Sequence, residues 1–410
     1  MNQNTKDNLF VPFALPSLGK EEEEAVLKVI RSNWITTGNV TENFEKEFSK
    51  KIGSKHAIAV NSATAGLHLA LDSFNLKKES FVITSPYTFT STAEVTRYLN
   101  LHPLFVDINE EDYNIDPLLI EKAVKTNKNV SAIIPVHIAG HLCKMKEITD
   151  FAAKKHIPVF EDSAHAFPVC EASASYSGTK DTKAAQDKDK IKFAGTFGDA
   201  GIFSFYATKT ITTGEGGMVV TDNDKIASYM KMMRLHGIDR DIFDRYRTKE
   251  NKWYYEVKAP GYKYNLTDIA SAIGIEQLKK ADKFKQKRTK IAKLYNKAFK
   301  EYDFLFLPPF SESHCWHLYI IRINSVKLKI NRDEFIQKLF DKGIGVSVHF
   351  IPLHIMPYYK KCYGLKPKDF PRALEKYSTS VSLPIYPALD EDKIEYIIDS
   401  VIEIGSKNYR

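Results

Sequence analysis

The sequence predicts an α/β protein. A large, mostly parallel sheet carries helices on both faces, and a smaller C-terminal α+β domain follows. Three observations carry this reading. Short apolar runs alternate with helical stretches over the first two-thirds of the chain, and this pattern changes after Pro308-Pro309. The 410 residues are 43% hydrophobic and 27% charged, an ordinary globular composition with material for two or three structural units.

The elements follow in order. HAIAV (56–60) reads as a strand, and a helix through Leu67, Leu71 and Phe74 succeeds it. FVITS (81–85) is a second strand, with a helical stretch near 90–100. LFVDI (104–108), AIIPVHI (132–138) and IPVFED (157–162) continue the series, separated by helices over 116–125 and 144–156. IFSFY (202–206) and GMVVT (217–221) complete it. Uninterrupted apolar strands alternating with helices indicate a parallel sheet buried on both faces. Residues 168–196 break the order, being polar, rich in small residues and without apolar period, and so predict an exposed loop. From Leu266 to about Lys300 the apolar residues Ile269, Ile273, Leu278, Phe284, Ile291 and Tyr295 recur near helical spacing. HLYIIRI (317–323) and VSVHF (346–350) read as strands, with helices near 332–342 and 390–404. The expected division is a large domain over 1–285, whose N-terminal segment packs on the small domain, and a small domain over 286–410.

Formal net charge is +8, from 59 Lys+Arg against 51 Asp+Glu. A basic chain invites a nucleic-acid or anionic-membrane reading. Residues 279–300, however, hold nine Lys and one Arg against Asp282, a local +9 that leaves the rest at −1. The basicity is one helical segment, expected to be a solvated face. Cys143, Cys170, Cys315 and Cys362 form no C-x-x-C pair, so neither a disulfide framework nor a metal module is expected. The N-terminus lacks a basic region followed by an apolar one, and no apolar run approaches the ~20 residues a membrane span needs. A cytoplasmic protein is expected.

Four places carry chemistry. In GDAGIFSFYATKTITTGEGG (198–217) a strand delivers Ser204 and then Lys209 beside a Gly-rich turn. Desolvation there frees an amine for imine chemistry; a solvated loop lysine is the alternative. EDSAH (161–165) places Asp162 at the carboxyl end of a strand, where α/β sheets bind ligands. It reads as the acid that holds a cofactor's ring nitrogen protonated, or as a helix N-cap. Ser62, Ala63 and Thr64 open a helix directly after a strand, which suits a phosphate or a plain cap. Tyr87 and Phe89 end another strand, for stacking on a planar ring or for core packing.

Together these segments resemble the DegT/DnrJ/EryC1/StrS family of sugar aminotransferases. The resemblance runs in order through WITTG (34–38), FEKEF (44–48), HAIAVNSATAGLHLAL (56–71), SPYTF (85–89), FVDI (105–108), IIPVH (133–137), EDSAHA (161–166), GDAGIFSFYATKTITTGEGGMVVT (198–221), YKYNLTDIASAIGIEQL (262–278), WHLYIIRI (316–323), VHFIPLH (348–354) and PYY (357–359). It implies a fold type I enzyme with pyridoxal 5'-phosphate as cofactor. Lys209 matches the lysine that binds the cofactor covalently and then moves the proton. Asp162 matches the acid on the ring nitrogen, and His165 the position facing the ring's phenolic oxygen. Phe89 matches the stacking aromatic, and Ala63, Thr64 and Ser204 the phosphate binders. Asn265 matches an asparagine reaching the cofactor phosphate of the partner subunit, which implies a homodimer with shared active sites. Thr36, Thr37, His349 and His354 match segments lining the sugar-nucleotide cleft, and Tyr87 is expected to bind substrate with them.

The implied reaction takes an amino group from an amino acid, usually glutamate, and delivers it to a nucleotide-linked keto-sugar. A 4-keto-6-deoxy sugar comes first, and a 3-keto sugar is the alternative. The expected setting is surface-polysaccharide or glycan synthesis. Dehydratase relatives carry His where Lys209 stands, so lysine favours transamination. Ser62-Ala63-Thr64-Ala65 replaces the usual SGTA, and Ala63 tolerates positive φ poorly, which implies a slightly different phosphate loop. The segments 168–196 and 236–257 are longer than usual. Arg240, Arg245 and Arg247 in the second face either a nucleotide diphosphate or solvent. A cofactor-binding regulator with a DNA-binding arm is disfavoured, because the core motifs begin by Trp34.

Overall fold

The computed structural model describes residues 10–171, 191–239 and 254–410. The sheet core is seven strands: β1 (His56–Val60), β2 (Phe81–Thr84), β3 (His102–Phe105), β4 (Val130–Ile133), β5 (Phe160–Asp162), β6 (Ala200–Ser204) and β7 (Gly217–Thr221). Three run in the order β3-β2-β4 and four in the order β1-β7-β6-β5. Parallel bridges Ile133 to Val159 and Val136 to Asp162 join the two groups. Only β7 opposes the rest, pairing antiparallel with both β1 and β6. The predicted mostly parallel sheet is present.

Both faces are covered, which is why the strands read as unbroken apolar runs. Ile58 and Val60 of β1, Ile202 and Val219 pack with Leu67 and Leu71 of α3 (Ala63–Asp72) and Met230 of α7 (Asp224–Met233). On the other face, Ala57, Ala59, Phe203 and Val220 meet Phe44 and Phe48 of α2 (Asn39–Ile52) and Leu278 and Phe284 of α8 (Asp268–Phe299). The remaining helices of this half are α1 (Lys20–Arg31), α4 (Ser91–Tyr98), α5 (Pro117–Thr126) and α6 (Met145–Lys155).

α8 is one uninterrupted helix, yet it serves two cores. Its first half packs against the sheet, while Ile291, Ala292, Tyr295 and Phe299 enter a separate core with Trp316, Tyr319, Phe335 and Ile397. That second core lies around β8 (Leu305–Phe306), β9 (Tyr319–Ile323) and β10 (Ser380–Leu383), in the order β10-β9-β8. Helices α9 (Arg332–Asp341), α10 (Pro357–Tyr363), α11 (Pro371–Thr379) and α12 (Glu391–Lys407) complete this half. Val11, far away in sequence, joins this core and pairs with Ile344.

Two expectations are corrected here. Residues 346–350 form no strand, and their one ladder contact is an isolated bridge from Ser347 to Ser382. The segment turns instead toward the sheet edge, and His349 and Phe350 line a cleft there. The basic helix is also not solvated throughout. Arg288 is 2% exposed, and its Nη1 donates to the carbonyls of Trp316 and His317 (both 3.3 Å) and of Ile385 (2.6 Å). Among the predicted exposed loop 168–196, residues 172–190 lie outside the described residues; Val169, Cys170 and Ala194 at its base are buried.

Candidate active site

Every parallel strand that contributes to the site ends at one sheet edge, the edge at which open α/β sheets bind ligands. Val60 ends β1, Asp162 ends β5, and Ser204 ends β6, where it pairs with Gly217 at the start of β7. A side chain at Gly217 would bring its Cβ to 2.8 Å from the Ala63 nitrogen, so glycine lets β7 run beneath the N-terminus of α3. Above this edge lies a cleft of about 320 Å³. Ser62, Ala63, Thr64, Phe89, Asp162, His165, Ser204, Lys209 and His349 line it, joined by His317, Phe350, Tyr206 and Glu215.

Lys209 and Asp162 lie at its floor. Burial pushes the lysine down to about 8, although the Asp162 carboxylate opposes this. Burial pushes Asp162 up, against hydrogen bonds from the Thr92 hydroxyl (2.8 Å) and the Ala164 N–H (3.2 Å) and the charge of Lys209. Thr92 is held in turn by Thr88 at 2.9 Å. Three imidazoles complete the wall. Burial, reinforced by Lys209, pushes His165 and His317 well down and His349 to about 4.

The phosphate end is the start of α3. Ser62 is the N-cap, and its hydroxyl accepts from Ala65 N at 3.1 Å. The cap uses the hydroxyl oxygen as acceptor and leaves its O–H to donate, so the groups offered to an anion are the N–H groups of Ala63 and Thr64 with the Ser62, Thr64 and Ser204 hydroxyls. Ala63 is the first residue of the helix and has no positive φ. The expected distortion from replacing the usual glycine is absent.

Several expected contacts fall elsewhere. Tyr87 is fully buried and outside the cleft wall. Its hydroxyl donates to the His349 carbonyl at 2.6 Å and its ring packs on Tyr113, so it supports the cleft from behind. His354 is likewise fully buried, with Nε2 at 3.2 Å from the Pro367 carbonyl. Thr36, Thr37 and Asn265 do not line the cleft of their own chain. Asn265 donates to Thr37 Oγ1 at 2.7 Å and bridges to Val60, two residues before the Ser62 cap. Arg240, Arg245 and Arg247 lie outside the described residues. Sequence reasoning passed over His317 as a site residue, although it stands in WHLYIIRI, and it assigned nothing to Thr92, whose signal is a hydroxyl one helical turn after Thr88.

The residues present fit a phosphorylated pyridine cofactor. A buried carboxylate whose described hydrogen bonds come only from a hydroxyl and a peptide N–H is suited to a protonated ring nitrogen. A desolvated amine lies beside it, Phe89 (58% exposed) offers a ring face at the cleft wall, and a helix N-terminus closes the far end. Fold and cleft together define a pyridoxal-phosphate-dependent transferase of fold type I.

Comparison with known proteins agrees. The chain belongs to the DegT/DnrJ/EryC1/StrS aminotransferase family, whose model matches residues 16–402. It is 40% identical over 402 residues to the spore coat polysaccharide biosynthesis protein SpsC of Bacillus subtilis, covering 97% of this chain and 98% of SpsC. PseC of Helicobacter pylori, an aminotransferase involved in the biosynthesis of pseudoaminic acid, superimposes with a TM-score of 0.85 at 29% identity, covering 97% of this chain and all of PseC. The pyridoxal-phosphate form of Spr1654, a sugar aminotransferase of Streptococcus pneumoniae, gives a TM-score of 0.85 at 26% identity, covering 97% and 99%. Pyridoxal 5'-phosphate is the cofactor of this family of sugar aminotransferases. Among the described residues no helix is long and apolar enough to cross a membrane.

Proposed function

We propose that this protein moves an amino group from glutamate to a nucleotide-linked keto-sugar, first among them a 4-keto-6-deoxy sugar, for surface polysaccharide or glycan synthesis. The observation that carries the proposal is the lysine itself. Lys209 is a desolvated amine at the cleft floor with Asp162 beside it, and a free amine is the group a transamination needs to carry a proton between two carbons. The names of SpsC and PseC support the sugar assignment.

Bound pyridoxal phosphate supplies an electron sink for the carbon that loses its proton. Asp162 keeps the ring nitrogen protonated, and Thr92 holds that carboxylate in place. Phe89 stacks on the ring, and Ala63, Thr64 and Ser204 take the phosphate. Lys209, once released, acts as general base and then general acid. His349 and the cleft mouth receive the sugar.

The same reading makes the protein a cytoplasmic homodimer with shared active sites. Asn265 pairs with Val60 near the phosphate end and holds Thr37, yet Asn265, Thr36 and Thr37 do not line their own cleft, which suits a role toward a second subunit. Leu27 and Ile30 of α1 and Ile35, next to Thr36 in the chain, are about half exposed, apolar side chains that a second copy would cover. The division into 1–285 and 286–410 is retained, with the change of core inside α8 as its support.

The test supplies the purified holoenzyme with a panel of UDP-, dTDP- and GDP-linked keto-sugars, with and without glutamate. Amino-sugar formation matched by 2-oxoglutarate is expected. A deoxygenated sugar formed equally without glutamate would replace transamination by dehydration.

A further inference from the structure

His165 stands at the cleft wall, 6% exposed, and the direction of its hydrogen bonds is set by its neighbours. The Ala139 N–H lies 3.3 Å from His165 Nδ1. A peptide N–H only donates, so Nδ1 accepts and bears no proton. In the neutral ring the proton is then on Nε2.

The N–H is delivered by an unusual backbone. Ala139 has φ 59° and ψ 2°, a left-handed conformation that a residue with a Cβ rarely adopts. The surrounding turn is pinned at several points. Ile138 N donates to Asn114 Oδ1 at 2.9 Å, Leu318 N to the Ala139 carbonyl at 3.2 Å, and Cys315 N to the Gly140 carbonyl at 3.0 Å. Cys315 Sγ donates back to the His165 carbonyl at 3.0 Å. A Cβ at Gly140 would fall 2.4 Å from that sulfur, so glycine at 140 lets the strap 315–318 pack against the turn 138–140. The His165 ring is flanked by His317 at 4.4 Å and Phe350 at 5.7 Å.

We propose that Ala139 is a positioning residue that locks His165 as the Nε2–H tautomer, making it a fixed hydrogen-bond donor into the cleft rather than a proton acceptor. Its partner is an anionic oxygen on the ring of the bound cofactor, so the identity of that partner rests on the proposed function, while the tautomer does not. The charged and titratable groups around His165 agree. Lys209 comes from the turn after β6, His349 from the segment between α9 and α10, and His317 from the strap with the Arg288 guanidinium behind it. Two carboxylates share the cleft, Asp162 at the end of β5 and Glu215 before β7. Asp162 accepts from the Thr92 hydroxyl and the Ala164 N–H, and among the described residues neither carboxylate pairs with His165 to hold an imidazolium.

The test needs no turnover. In protein labelled with 15N-histidine and stripped of cofactor, long-range proton–nitrogen correlation reads the tautomer directly, and loss of the signal in H165Q assigns it. The Nε2–H form should persist without titration between about pH 6 and pH 9, a range that spans the ordinary histidine midpoint. An Nδ1–H form, or an imidazolium in that range, would overturn the proposal. Two variants then separate the two nitrogens. H165N keeps an acceptor opposite Ala139 and loses the donor into the cleft; H165Q does the reverse. The Ala139 amide should exchange at least about tenfold faster in H165Q than in H165N, whereas kcat should fall at least about tenfold in H165N and stay closer to wild type in H165Q. Equal amide protection in both variants would remove Ala139 from the account. A correct tautomer in a protein that binds no pyridoxal phosphate would instead refute the cofactor's part alone.

Discussion

Lys209 and Asp162 share one desolvated floor, and burial drives each toward its neutral form while each favours the charge of the other. Burial wins for the lysine, which is held at about 8 against an ordinary 10.5. A cation whose pKa is depressed becomes the free amine as pH rises through that value. The rate at which cofactor-free protein captures pyridoxal phosphate should therefore rise with pH to a midpoint near 8, followed by visible absorption. Lys209→Ala should abolish borohydride-fixable cofactor. Asp162→Asn removes the charge that favours the ammonium form, so the midpoint should move lower, while kcat falls about a hundredfold or more. A midpoint near 10 in the wild type would show that the amine is solvated.

Tyr87 separates support from contact. Its hydroxyl holds the His349 carbonyl from a fully buried position. Tyr87→Phe removes one hydrogen bond, worth about 1 kcal/mol, and should lower kcat/KM no more than about fivefold with KM nearly unchanged. A large rise in KM for the sugar nucleotide would restore the substrate contact that the sequence suggested. His354→Asn, also fully buried and outside the cleft wall, serves as the parallel case and should behave alike.

How much was legible depends on whether a residue's partners lie nearby in sequence. The strands of the main sheet were readable because burial on both faces leaves runs such as HAIAV and GMVVT without a polar break. Lys209, Asp162 and the start of α3 were readable because strand ends and helix starts are marked locally. Segment 346–350 misled because alternating Val346, Val348 and Phe350 mimic a strand, yet the cleft and not a neighbouring strand takes the segment's end. Arg288 was misread as one more cation on a basic helix. Its spacing told otherwise, since Phe284, Arg288, Ile291 and Tyr295 fall on one stripe, and all four are buried. The tautomer of His165 was beyond reach, because it depends on a peptide group 26 residues away.

Arg288 gives the next prediction. Its described hydrogen bonds run to three carbonyls and to no carboxylate, and burial lowers it to about 10. Arg288→Met leaves those carbonyls without a donor inside the protein, at a cost of about 2–4 kcal/mol. Lys297→Ala, on the exposed side of the same helix, should stay within about 0.5 kcal/mol. Urea unfolding of the two variants checks this. Equal, small effects would return Arg288 to the solvated face that the charge count first suggested.

Asp268 is the corresponding test on the side of α8 that meets the sheet. It is 3% exposed, and its carboxylate accepts from the N–H groups of Gly38 (2.8 Å), Val40 (3.3 Å) and Thr41 (2.9 Å) and from the Thr41 hydroxyl (2.7 Å). These N–H groups open α2, whose own N-cap is Gly38 and has no side chain to offer. Asp268 therefore caps a helix from another helix and sets a negative charge on the positive end of its dipole. The residues just before the cap include Thr37, which holds Asn265. Asp268→Asn keeps an acceptor but loses the charge and should cost about 1 kcal/mol; Asp268→Ala loses every bond and should cost about 2–3 kcal/mol. Hydrogen exchange should rise in residues 36–41 in the same order, with that of β1 unchanged. If the two variants destabilised equally, the contribution would be the charge alone and not the set of bonds.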